Sequence, residues 1–156
     1  MMHVLMKKLT YAFFAFWVAM VTFLFFPYSA SSYEDSFLEL REYKGNLCYD
    51  GDTCYVTAKT LPIPLQRMSV RILGIDTPEI RGDCPEEKAL ALRGREFANV
   101  AFNGAETIEF LNLKWDKYGG RVLADVWLDG VDYATLLIEA GLARPYDGGK
   151  KEGWCE

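Results

Sequence analysis

Three short stretches carry the residues whose types and spacing could do chemistry. VRILGIDTPE (70–79) ends an apolar run in Asp76, Thr77 and Glu79, with Arg71 five residues before the first acid. YDGDT (49–53) sets Asp50 and Asp52 on either side of Gly51, and WDKYGGR (115–121) delivers Lys117, Tyr118 and Arg121. Singly, each has an ordinary reading as a capped turn, an Asp-Gly hairpin turn or a polar loop. Together they supply carboxylates, a backbone carbonyl at Thr77 and two guanidiniums. A hard cation such as Ca²⁺ takes oxygen ligands of this kind, and Asp52, Asp76 and the Thr77 carbonyl could provide them from neighbouring strand ends. Arg71 and Arg121 could clamp a phosphate with paired hydrogen bonds, which lysine does poorly. Glu79 stands close enough to orient a water. The ensemble describes phosphodiester hydrolysis, with charge neutralised by the cation and the arginines and a carboxylate taking the water's proton.

Histidine is excluded from this chemistry. The chain has one, His3, near its start. No Ser-His or Cys-His pair can form downstream, so acid–base work falls to carboxylates, lysine, tyrosine or a metal-bound water. A zinc site lacks both histidine and any CxxC spacing.

The elements that must position these residues begin after a leader. Residues 1–32 carry Lys7 and Lys8, an uncharged run from Leu9 to Phe26, then Pro27 and small residues. This is the layout of an export signal, with cleavage expected near Ser32. A run of 18 residues also suits an uncleaved membrane anchor over 9–26, the only route by which the chain would meet a membrane. Under both readings the domain that follows, 33–156, lies outside the cytoplasm, secreted or periplasmic. Beyond residue 32, 15 basic side chains face 22 acidic ones, a net charge of −7. A broad basic surface for nucleic acid is thereby excluded, and binding must rest on a local cluster of cations or a metal.

The cysteines agree with export. Cys48 and Cys54 sit symmetrically about Gly51 in CYDGDTC, as opposite positions across a hairpin would, which leaves Cys84 to pair with Cys155. Loss of the Cys84–Cys155 bridge is expected to lower the melting temperature by several degrees. Strands are expected at 37–48, 53–60, 66–75, 107–113 and 121–128. A helix is expected over 85–104 with Ala89, Leu92, Phe97 and Val100 as its apolar face, and a short second helix, capped by Asp132, should end at Gly141. Five short strands with one intervening helix suit a small closed barrel, mainly β with about two helices.

DGDT, R-x₄-DTPE and DKYGGR, in that order over about 44–146, resemble the thermonuclease, or staphylococcal-nuclease-like, family. The resemblance implies a five-stranded OB-fold barrel that cuts DNA or RNA with Ca²⁺, breaking the bond to the 5′ oxygen. It further implies Asp52, Asp76 and the Thr77 backbone oxygen as metal ligands, and Asp50 as an acid behind them. Glu79 becomes the general base, Arg71 and Arg121 the phosphate clamps, and Lys117 and Tyr118 contacts to a terminal phosphate. Single-stranded substrate and a monomeric protein are expected. The chain departs from the family pattern in its two glycines before Arg121 and in ending soon after Tyr146, without a long C-terminal helix. Tyr146 lies near the place of a base-stacking aromatic. A nonenzymatic OB-fold binding module, a calcium-binding adhesion module and a set of surface salt bridges are the other readings. None of these requires both arginines beside the acids, and exposed ion pairs contribute only about 0–1 kcal/mol.

Overall fold

Thr53 to Ala58 alternates strictly between half-exposed and buried side chains, with Cys54, Val56 and Ala58 inward. That period of two lays one apolar face on a core and leaves the other to polar chemistry. The computed structural model describes residues 38–155, so the leader lies outside the described residues. Strands are β1 (Leu38–Leu40), β2 (Thr53–Ala58), β3 (Arg67–Ile72), β4 (Ile75–Asp76), β5 (Ile108–Trp115), β6 (Arg121–Leu128), β7 (Val131–Asp132) and β8 (Arg144–Pro145). Helix α1 spans Pro85–Gly104 and α2 spans Tyr133–Glu139.

The five longer strands run β1-β2-β3-β6-β5 across one curled sheet, a half-barrel that fits the OB-fold, with β7 added to β6 and a small β4–β8 pair beside it. Only β3 and β6 are parallel, and their register sets Ser69 opposite Arg121 and Arg71 opposite Leu123. Arg71 and Arg121 therefore share the outer face of two adjacent strands, while Val70, Ile72, Val122 and Ala124 fill the inner one.

Three sequence expectations are corrected. The first strand stops at Leu40, because Lys44 and Gly45 turn the chain with φ of 52° and 79° and Tyr43 pairs back onto Asn46. The third strand breaks at Gly74, whose φ of 79° bends the chain and restarts it as β4, aiming Asp76 away from the line of β3. The apolar face of α1 is different too. Ala89, Leu92 and Val100 point to solvent, and the helix buries Glu87, Ala91, Gly94, Ala98 and Phe102 instead. Gly94 packs against the turn at Gly51. A Cβ on Gly94 would stand 3.6 Å from the Gly51 Cα, a contact a large side chain would not permit.

Two disulfides, Cys48–Cys54 and Cys84–Cys155, close the framework. Cys48 and Cys54 face each other as an antiparallel bridge at the base of the Asp50–Asp52 turn. Beneath the same turn Tyr133, the first residue of α2, is fully buried against Phe97 and Phe102, and its hydroxyl donates to the Gly51 carbonyl at 2.9 Å. Burial holds that hydroxyl's pKa well above the ordinary tyrosine value, so the bond persists to high pH. Removing the hydroxyl orphans a buried carbonyl. Tyr133→Phe is expected to lose about 1–2 kcal/mol, read as a fall of about 4–8 °C in thermal unfolding.

Candidate active site

The strand ends deliver the acids to one place. Asp50 and Asp52 come from the hairpin before β2, and Asp76 and Thr77 from the end of β4; all four are buried. Asp52 Oδ1 accepts from Arg71 at 2.6 Å and from the Thr53 hydroxyl at 2.9 Å, while Oδ2 accepts from the Thr77 hydroxyl at 2.8 Å. Asp50 Oδ1 accepts the Asp52 amide at 3.2 Å. Arg71 reaches on towards Asp76 at 3.8 Å and donates to the Ile75 carbonyl, so one guanidinium spans both buried acids.

Asp76 is held differently. Its Oδ2 accepts from the Trp154 indole at 3.2 Å. Its Oδ1 is buried, with the Lys151 ammonium 2.6 Å away and the Arg71 guanidinium at 3.8 Å. Lys151 also donates to Glu79 at 3.1 Å, and Glu79 itself is half exposed. Four carboxylates, from Asp50, Asp52, Asp76 and Glu79, thus face two cations, Arg71 and Lys151.

That imbalance shows in the titration of the group. Burial first, then the charges of Asp52 and Glu79, push the Asp50 carboxyl up to about 7. Burial also raises Asp52 against the opposing pull of Arg71. For Lys151, desolvation pulls the ammonium down, but Asp76 and Glu79 outweigh it and leave it raised. Three buried acids crowded together and an all-oxygen donor set fit a hard divalent cation. Asp52, Asp76 and the Thr77 carbonyl are the residues that would hold it. A second group of close donors, Cys84, Glu87 and Cys155, lies within 4.8 Å, but its sulfurs are bonded to each other and offer no thiolate.

Beside the acids a groove of about 720 Å³ is lined by Arg71, Glu79, Lys117, Tyr118, Arg121, Tyr146 and Lys151. Arg121 pairs through Nε with Asp116 of its own hairpin, and its guanidinium lies 5.1 Å from the Tyr118 ring centre, as does the Lys117 ammonium. The second glycine of that hairpin has a use: Gly120, at φ 76°, turns its carbonyl to accept the Ser69 amide at 3.0 Å and closes the loop onto β3. Arg71 and Arg121 thus share one groove although each also pairs with an acid.

Sequence reasoning missed Glu87, Lys151 and Trp154. Glu87, expected only to favour the start of α1, is buried, and its carboxylate accepts the amides of Glu79 at 3.2 Å and Asp83 at 3.0 Å, clamping the loop that carries Glu79. Gly82 makes room for it, since a Cβ there would stand 2.2 Å from the carboxyl carbon. Gly82→Ala and Glu87→Ala should each unpair those amides. The expected loss is about 1–3 kcal/mol in thermal unfolding, and an unchanged melting curve for Glu87→Ala would show the clamp to be idle.

Comparison with known proteins agrees with this geometry. The family model described as staphylococcal nuclease homologue matches residues 69–153, from β3 through the groove into the C-terminal tail. The comparison with curated proteins returned no match. With more than half its length matched, the chain belongs to the staphylococcal nuclease homologue family.

Proposed function

We propose that this chain is a Ca²⁺-dependent nuclease that hydrolyses DNA or RNA outside the cytoplasm, delivered there by residues 1–32 as a cleaved signal or by 9–26 as an anchor, and acting as a monomer. The observation that carries the reading is the buried cluster of Asp50, Asp52 and Asp76 beside a groove that carries Arg71, Lys117, Arg121 and Lys151. A family whose members are nucleases supports it.

Bound between Asp52, Asp76 and the Thr77 carbonyl, the cation would neutralise phosphate charge. The rest falls to side chains. Glu79 projects into the groove from a clamped loop, half exposed, where it can take a proton from a water. Arg71 and Arg121, on adjacent parallel strands, are about 8 Å apart at the backbone by strand spacing. That separation lets two guanidiniums converge on one phosphate and stabilise its added charge in the transition state. Lys117 and Tyr118, at the groove's edge, meet a terminal phosphate, and Tyr146 offers a ring to a base. Because the groove is local and the domain acidic, substrate is held weakly and a flexible single strand is favoured over a stiff duplex.

The deciding experiment is degradation of single-stranded DNA by the oxidised full-length chain in nonionic detergent, with Ca²⁺ and with a chelator, beside Glu79→Gln. Calcium-dependent cleavage is expected, falling about 10²–10⁴-fold in the variant. A folded protein that cleaves nothing at any calcium level would leave the alternative, an OB-fold binding module.

A further inference from the structure

The tail after β8 is built into the site rather than trailing from it. Tyr146 N–H donates to the Gly74 carbonyl at 2.9 Å, and its hydroxyl donates to the Gly149 carbonyl at 2.7 Å. Gly148, at φ 96°, turns the chain back towards the acids. The far end is fixed three times over. Arg144 stacks 3.8 Å over the Trp154 ring and donates to the Gly153 carbonyl, Trp154 donates to Asp76, and Cys155 is bonded to Cys84 at the start of α1. Between these anchors the strap carries Lys151, whose ammonium contacts Asp76 Oδ1 at 2.6 Å and Glu79 Oε1 at 3.1 Å.

Resting on the calcium reading above, we propose that Lys151 is a tethered internal cation that competes with the divalent ion for Asp76 and so sets its affinity. The distance is the argument. Calcium–oxygen bonds span about 2.3–2.6 Å, so an ion on Asp76 Oδ1 and an ammonium 2.6 Å from the same oxygen would share that oxygen at similar range and repel each other. At 2.6 Å the ammonium makes a close ion pair with that oxygen. A cation of higher charge can displace it, at the cost of losing the lysine's two ion pairs. Lys151 thereby keeps a buried carboxylate compensated until the divalent ion arrives. The Cys84–Cys155 bond, by fixing the end of the strap, keeps the lysine at high local concentration over the site.

The test is calorimetric titration of Ca²⁺ into the oxidised full-length chain in detergent, comparing wild type with Lys151→Met and Lys150→Met. Lys150 is the adjacent exposed residue and loses the same charge. Folding of each variant is checked by its melting curve, and Lys151→Gln provides a second neutral side chain. Removing two partly exposed ion pairs predicts a Ca²⁺ dissociation constant about two- to tenfold lower for Lys151→Met and near wild type for Lys150→Met. Cys155→Ser, which frees the strap, should move the constant in the same direction. An equal shift in both lysine variants would reduce the effect to net charge and overturn the proposal. So would unchanged or weaker binding in Lys151→Met, and each of these leaves the calcium reading intact. Absence of binding in every variant would sink both. A wild-type constant in Cys155→Ser would overturn the role given to the disulfide.

Discussion

Burying like charges together is the constraint on which this structure turns. Asp50, Asp52 and Asp76 are each almost wholly removed from water, and one guanidinium, that of Arg71, touches Asp52 and approaches Asp76. An isolated buried carboxylate would protonate rather than stay charged, and Asp50, which lacks a direct cation, does shift upward. On β3 opposite Thr53, Arg71 sets its guanidinium between Asp52 and Asp76 and so lets two carboxylates face the same small volume.

The scaffold serves that placement. Gly51 and Gly94 let the helix approach the hairpin turn closely, and Tyr133 supports the same turn from below with a buried hydroxyl. From α1, Asn99 accepts the amides of Leu47 and Cys48, while Arg95 donates to the Tyr49 carbonyl, so the arm leading into Asp50 is pinned along its length. The break at Gly74 turns the following strand out of the main sheet, and β8 pairs with it to bring the tail alongside. Each acid sits on a segment whose backbone is fixed by neighbours distant in the chain, which is how a site of like charges is kept from relaxing apart.

An acidic domain with a basic groove is less contradictory than its net charge suggests. The groove carries Arg71, Lys117, Arg121 and Lys151 beside Glu79, Asp116 and Asp147, so cationic groups lie close to the buried acids. A phosphate entering there meets local positive charge within a Debye length, about 8–10 Å at moderate salt, while the distant surface acids are screened.

Much of this was legible in the chain itself. Spacing alone placed the limits of α1 and β6 and the Asp132 cap, because those signals are local: a proline at a helix start, a period of two, a side chain that can bond its own backbone. What only the tertiary structure decided is what depends on a partner far away in sequence. Leu92 and Val100 look like a helix face until packing turns Ala91, Gly94, Ala98 and Phe102 inward, with Gly94 against Gly51. Glu87 reads as a first-turn acid until Gly82 opens a space for its carboxylate to hold the Glu79 loop. Lys151 reads as one more charge in a polar tail until the bond from Cys155 to Cys84 and the stacking of Arg144 on Trp154 lay it across Asp76. Residue types and short spacings determined which groups were available for chemistry; close packing and long-range pairing determined which of them share a volume, since charge and steric fit act through space and not along the chain.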